Sequence, residues 1–481
     1  MKAIKPGHPG AKPLWLPEEW TKWLCLLLLI ILFFIPFNIL RPVSSLDGQG
    51  HWVLACLTLA LACWIAHPKR LPRGLAGLFF LGLMLVGGLS YEVVFHGFTT
   101  ASIWIIIPAF LFGFVIHETG LGRRVTMVLL NHFRGNTGMI AVALLLSGII
   151  FSMLTPSITV RIGIVMPIVL SVIKSLNLKE RSREAAFIAL ISYTAIIIPG
   201  NGWLTGSLVG PMNMGFLPPA LRVGLDWFSY SRALFFPWAL VTVLLVSYVF
   251  LVFKPGKLSS PDTGPYREIQ LPPISRDEKF AAFILSLCFL GYLTTPFHGF
   301  DAAIITVFGL VLLFITGTLE GKAISTGVNW EVVLFFGTIM SLAPILETAG
   351  ITGMLGQSLQ PVLIGFSGNP LLFVYFVLAL TLALRFVDVV WGLTTIAILF
   401  AFSPALSLAG IHPIVLCYLN GVIQCFTIFH YMSPFAIMSA DILEHRGWSE
   451  KHLFIYGLGY LISVALSTMP AVWYWQWLGL L

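Results

Sequence analysis

Thr155, Ser157, Thr159 and Arg161 alternate through MLTPSITVRIGIVMP (Met153–Pro167), in the middle of an apolar run. Hydroxyls and a guanidinium offer donors to an anion, while freed carbonyls and hydroxyls offer oxygens to a small cation. Pro156 interrupts any helix there, because it has no N–H to donate and crowds the preceding turn. Three further stretches carry similar chemistry. IIIPGNGWLTGSLVGPMNMG (Ile196–Gly215) holds Gly200, Asn201, Thr205, Ser207 and Asn213. FTIFHYMSPF (Phe426–Phe435) holds Thr427, His430, Tyr431 and Ser433 ahead of Pro434. VDVVWGLTT (Val387–Thr395) holds Asp388, Gly392, Thr394 and Thr395. We take Ser157, Ile158, Thr159, Arg161, Asn201, Thr205, Gly392, Thr394, Thr395, Thr427, His430 and Tyr431 as candidate anion contacts. Ser157, Gly200, Asn201, Thr394 and Asp388 are candidate cation ligands.

Each assignment has a plainer alternative. Ser and Thr in membrane helices often bond back to the carbonyl four residues earlier. His430 either donates to an anion, or titrates, or packs against a backbone carbonyl. Asp388 binds a cation or proton, or pairs with Arg385 at i,i+3 spacing. Arg161 is the first choice for countering substrate charge, since its fork matches carboxylate or sulfonate oxygens. Glu118 and Glu347 read as helix-end residues.

The elements around these residues are those of a membrane protein. The chain of 481 residues is 58% hydrophobic and only 10% charged, with mean hydropathy +0.94. A soluble surface needs about 25% charged residues. The net charge of +7 lies in short basic clusters between apolar runs, the pattern of membrane-protein loops and not of a nucleic-acid partner. The six cysteines form no metal-type cluster and read as unpaired packing residues. No cleavable signal peptide is evident, since the first apolar run opens a series of spans. Simple spans are expected at 23–40, 51–67, 75–95, 101–117, 233–253, 280–297, 302–319, 330–346 and 452–478. Residues 138–176 and 369–409 are each about twice a span's length, with a polar interruption. Residues 185–215 and 411–442 each begin as a helix and break. We therefore expect an all-α polytopic membrane protein with about 11 membrane spans plus two re-entrant hairpins.

The organisation follows: a cytoplasmic segment 1–22, a first half 23–253, a Pro-rich charged linker 254–279, and a second half 280–481. Lys and Arg before the first span put the N terminus inside. Arg123, Arg124 and Arg134 flank the first hairpin on one end, and Lys174, Lys179, Arg181 and Arg183 on the other. Residues 138–176 must therefore enter and leave on the inner side. Residues 348–370 carry no Lys or Arg, so hairpin 369–409 enters from outside, and the C terminus ends outside. FGFVIHETGLGRR (Phe112–Arg124) and LAPILETAGITGML (Leu342–Leu355) each place Glu-Thr and Gly at a span's end, each before a hairpin and a broken helix. Such inverted repeats meeting at the midplane are a transporter architecture.

At these motifs the chain resembles the divalent anion/sodium symporter family, and most of all its citrate, tartrate and succinate exchangers. TPSITVRIGIVMPIV is similar to the family's Thr-Pro-Ser-Asn-Thr-Ala-Arg pattern, and FTIFHYMSPFAIMSADI to its last substrate-binding segment. The resemblance implies a homodimer in which a transport domain moves against a scaffold domain as an elevator. Two departures bear on the substrate. The Ser-Asn-Thr triplet is here Ser157-Ile158-Thr159, and the second hairpin has none. Ile158 either faces the substrate and sets selectivity, or packs against the scaffold. The expectation is a secondary transporter of an organic anion, carboxylate or dicarboxylate, in the cell inner membrane. It works by Na+ or H+ symport or by exchange, with no cofactor unless Na+ is the coupling ion. The alternative is a cation or oxyanion antiporter of similar architecture. No HExxH, GxSxG or phosphate-loop pattern points to an enzyme.

Overall fold

The structure, a computed structural model, describes residues 46–66, 71–133, 137–217, 222, 224–253, 271–354, 357, 369–386 and 412–481. Among them there are helices and no strands, and seven helices are long and apolar enough to cross a membrane. Lipid tails are as apolar as these side chains, so close packing, not exclusion from water, holds the helices to one another.

The first repeat opens with α1 (Gly48–Ala66) and α2 (Arg73–Val86). The expected span 75–95 stops at Val86, because Gly88 takes φ +85° and turns the chain. Two short helices follow, α3 (Tyr91–Val94) and α4 (His96–Thr99). The span α5 (Ala101–Glu118) leads through Gly120, at φ +79°, into the amphipathic α6 (Leu121–His132). Helices α7 (Thr137–Leu154) and α8 (Ile158–Ser175) are the two arms of the hairpin expected over 138–176, with Thr155–Ser157 between them. The first broken helix is α9 (Arg183–Ile197), a 3-10 turn Pro199–Gly202, and α10 (Val209–Phe216). Every residue of α9 from Ala185 to Ile197 is buried, as befits a helix apolar on all sides. Helix α11 (Trp227–Val252) closes the half.

The second repeat runs through α12 (Arg276–Leu293), the short α13 (Thr295–His298), α14 (Ala302–Ile315), the short α15 (Ala323–Thr326) and α16 (Trp330–Thr348). Gly350 after α16 has φ +71°, the counterpart of Gly120 after α5. Of the expected second hairpin the structure describes its first arm, α17 (Pro370–Leu384); 387–411, with Asp388, Gly392, Thr394 and Thr395, lies outside the described residues. The second broken helix is α18 (Ile414–Cys425), a 3-10 turn His430–Met432 and α19 (Pro434–Ile442), followed by α20 (Glu450–Trp477).

The helices gather in two groups. Helices α2, α4 and α16 pack together, as do α5, α12 and α14. On the other side α7 and α8 pack on α9, α19 packs on α8, and α11 packs on α20. Small residues set the spacing. A Cβ on Gly148 of α7 would stand 2.6 Å from the Cβ of Ala195 in α9. Between the groups, a Cβ on Gly113 would come 2.8 Å from Val160 and 3.0 Å from the Thr155 hydroxyl. A narrow apolar gap lies there, lined by Ile105, Ala109, Phe112, Met153, Leu154 and Pro156 among others.

Polar contacts sort the loops onto two ends. At one, Lys174 Nζ lies 2.8 Å from Glu444, Arg446 3.1 Å from Glu180, and the Arg181 N–H donates to the Arg446 carbonyl at 2.8 Å. Arg124 pairs with Glu278 at 2.8 Å at the foot of α12. At the other, the His412 N–H donates to Leu480 O at 3.1 Å and Tyr474 Oη to Arg232 O at 2.6 Å.

Candidate functional site

The hairpin tip and the two helix breaks meet inside the second group of helices. At the tip, Ser157 caps α8, its Oγ accepting from Val160 N–H at 3.4 Å. Thr155 Oγ1 accepts from Ser157 N–H at 3.2 Å. Both hydroxyls are buried. Neither bonds back to a carbonyl of α7, unlike Ser147, which donates to Ala143 O at 2.8 Å. Each is therefore left with an O–H to donate.

The triplet Ser157-Ile158-Thr159 divides. Ile158 is buried among core side chains, whereas Thr159 is exposed. Successive helical residues point about 100° apart, so one helix turn cannot send all three to one place.

Arg161 is the centre of the arrangement. It is fully buried, and its Nη2 donates to Gly206 O at 2.9 Å, in the first break. Its Nε and Nη1 have no hydrogen-bond partner among the described residues, and no carboxylate pairs with it there. The guanidinium fits because Gly200 has no side chain. A Cβ there would stand 2.2 Å from Gly206 O and 2.9 Å from Arg161 Nη1. Asn201 braces the same turn. Its Nδ2 donates to Ile197 O at 3.0 Å and meets Cys425 Sγ of α18 at 3.2 Å, while its Oδ1 accepts from Ser207 Oγ at 3.1 Å. Arg385, also fully buried at the end of α17, donates to the Met432 carbonyl in the second break. Each half thus sends one buried guanidinium to a broken helix.

The second break is held from α9. Tyr193 Oη lies 3.3 Å from Ser433 Oγ and also meets Thr427. The far arms are tied as well, Asn420 Nδ2 donating to Asn213 Oδ1 at 2.5 Å and Gln424 Nε2 to Asn420 Oδ1 at 2.8 Å. The structure thus gathers Ser157, Arg161, Gly200, Asn201 and Thr427.

Besides the exposed Thr159, three candidates lie apart. Thr205 Oγ1 accepts from the Trp227 indole at 2.9 Å and lines the gap toward α12. Tyr431 is exposed and stacks on Phe429. His430 has both ring nitrogens engaged. Trp448 Nε1 donates to its Nε2 at 2.8 Å, and its Nδ1 lies 2.5 Å from Glu450 Oε1. Its partners are a carboxylate and an indole, not the backbone carbonyl of the packed alternative, and they leave no donor for an anion. Tyr193, Gly206 and Cys425 escaped the sequence reading, because nothing in their neighbours' polarity marks them.

Comparison with known proteins agrees with this architecture. A family described as the sodium:sulfate symporter transmembrane region matches residues 18–481. Similar proteins include the putative malate transporter YflS of Bacillus subtilis, 25% identical over 70% of this chain and 71% of its own. The chloroplastic dicarboxylate transporter 1 of Arabidopsis thaliana is 25% identical over 68% of this chain and 60% of its own. The L-tartrate/succinate antiporter of Escherichia coli K12 is 26% identical over 58% of each. Among solved structures, the Alcanivorax borkumensis YdaH transporter shares the fold, with TM-score 0.55 and 17% identity over 96% of this chain and 98% of that one. The chain therefore belongs to the family of the sodium:sulfate symporter transmembrane region, the divalent anion/sodium symporters that its hairpin and broken-helix motifs resemble.

Proposed function

We propose that the protein is a secondary transporter that exchanges organic anions of the dicarboxylate class, with Arg161 as the fixed countercharge. The observation that carries this reading is a fully buried guanidinium with two nitrogens unpartnered and no carboxylate beside it among the described residues. A buried charge without a partner is costly, and an anion at the tip removes that cost. The O–H groups of Thr155 and Ser157 and the N-terminus of α8 are further donors at the tip. The names of the relatives support the substrate class: malate, dicarboxylate, and tartrate with succinate.

Arg161 also favours exchange over Na+ symport. Its guanidinium already takes the Gly206 carbonyl in the break that holds the candidate cation ligands Gly200 and Asn201, and Asn201 spends its oxygen on Ser207. A permanent cation there competes with a bound one. Movement is of the elevator kind, the hairpin and broken helices sliding as a unit along the apolar gap beside α5 and α12, in a homodimer anchored by the other group.

The test is uptake into proteoliposomes with a panel of mono- and dicarboxylates and sulfonates, loaded or empty, with and without a Na+ gradient. Labelled succinate should enter only succinate-loaded vesicles and should ignore Na+. Na+-driven uptake into empty vesicles would replace exchange by symport, and transport of a cation or oxyanion alone would select the antiporter alternative.

A further inference from the structure

The indole N–H of Trp448 is a donor and nothing else. His430 Nε2, which receives it at 2.8 Å, must therefore be unprotonated. The ring proton sits on Nδ1 and is given to Glu450 Oε1 at 2.5 Å. One ring thus serves two partners with opposite demands. A second proton on His430 strengthens the contact with Glu450 but sets N–H against N–H at Trp448. The two cannot persist together.

Trp448 is buried, and it does more than fill space. Its ring meets Tyr193 edge-on, with centroids 5.6 Å apart. Tyr193 is the residue of α9 that reaches Ser433 and Thr427 in the second break. Trp448 and Tyr193 thus link the His430 ring to Ser433 in the second break. His430 itself borders open water, on a hollow of about 290 Å³ shared with Arg181, Asp441, His445 and Glu450. The charged groups facing it are known element by element. Glu450 begins α20, and Arg181 stands before α9. Asp441 at the end of α19 is taken up by His445 at 3.4 Å. Tyr193 supplies a neutral hydroxyl from α9.

We infer that His430, Trp448 and Glu450 form a proton-operated support for Tyr193, so that acid on the side of the 444–451 loop loosens the anion site. The inference rests on the site proposed above, but it concerns His430 and Trp448 as positioning residues that do not touch the anion. Imidazole titrates between pH 5 and 8, the range over which such a support changes state.

The experiment has two arms. In the first, succinate exchange is measured in proteoliposomes clamped at the same pH on both faces, at about pH 7.5 and about pH 5.5, for the wild type, His430→Gln and Trp448→Phe. Gln accepts from Trp448 and donates to Glu450 without titrating. Phe keeps the ring on Tyr193 and removes the competing donor. The wild-type rate should fall about fivefold or more on acidification, and both variants should lose most of that fall. A flat wild-type profile overturns the inference, as does a wild-type fall in either variant that still transports. The second arm needs no substrate. Amide hydrogen exchange across 430–449, corrected for its intrinsic pH dependence, should rise on acidification in the wild type and stay level in His430→Gln. Equal rises in both overturn the support. The expected difference in a protein that carries no dicarboxylate leaves the support standing and removes the substrate assignment instead.

Discussion

Arg161 donates to the Gly206 carbonyl because Gly200 leaves room for it, and the two glycines and the arginine act as one unit. Arg161→Gln keeps an amide donor for that carbonyl and removes the charge. A hydrogen bond to a charged group is worth about 1.5–3 kcal/mol, so succinate should bind about tenfold more weakly or worse. Substrate-protected thermal shifts of purified protein check this, and unchanged affinity would make Arg161 structural. Gly200→Ala forces its methyl against Gly206 O and should abolish exchange in protein that still inserts in the membrane. Ile158→Asn tests the remaining choice at the tip. With Ile158 in the core, the new amide is buried without a partner, at a cost of about 1–3 kcal/mol. The melting temperature should drop, and succinate should raise it no more than it does in the wild type. New dicarboxylate binding would instead put Ile158 at the substrate. The place of Arg161 inside the fold was legible because a guanidinium in an apolar run demands an explanation. Tyr193 was not, because AFIALISYTAII reads as packing until a distant tryptophan and a distant break close around its hydroxyl.

At the level of elements, the helix breaks were legible and the span ends less so. Pro156, Pro199 and Pro434 mark sites where a helix loses a donor, and the hairpin and both broken helices lie where these residues put them. The end of α2 at Val86 depends on the Gly87-Gly88 turn, which hydropathy smooths over. The joint between α6 and α12 needs both halves of the chain. Arg124 Nε and Nη2 grip the two oxygens of Glu278 at 2.8 and 3.0 Å, and Nη2 also reaches Pro272 O at 2.8 Å. The hydrogen bonds from Arg124 hold the Glu278 carboxyl below the usual carboxylate range. A carboxyl lowered in the folded state contributes stability that is present above its unfolded pKa and lost as pH falls through its folded one. Glu278→Gln should therefore lower the melting temperature at neutral pH and narrow the difference between about pH 7 and about pH 4. An undiminished acid shift in the variant would assign the sensitivity to other carboxylates.

Across the whole molecule, Glu-Thr followed by glycine in each half proved to be a structural equivalence, with Gly120 and Gly350 both left-handed at the exit of a span. Loops read as internal from their Lys and Arg lie together at one end of the molecule. The loop 176–182 meets 444–449, and Arg183 bonds to Val252 O, all in stretches read as internal. Membrane-impermeant maleimide should accordingly label Lys179→Cys and Gln476→Cys from opposite faces, Gln476 from outside. Labelling of both from one face would end the inverted arrangement. Arg161 also places an elementary charge on the unit that the proposed elevator carries. Taking one charge across the full field costs about 2.3 kcal/mol per 100 mV. With the cell interior negative, this charge by itself holds the empty carrier inward by a factor of about 50 at that voltage, so the empty unit seldom moves outward. A bound dianion reverses the sign of the moving charge. The resting potential then assists the loaded unit on its way out as it assists the empty one on its way in, so voltage favours net export, whereas one-for-one exchange of two dianions moves no net charge and is indifferent to it.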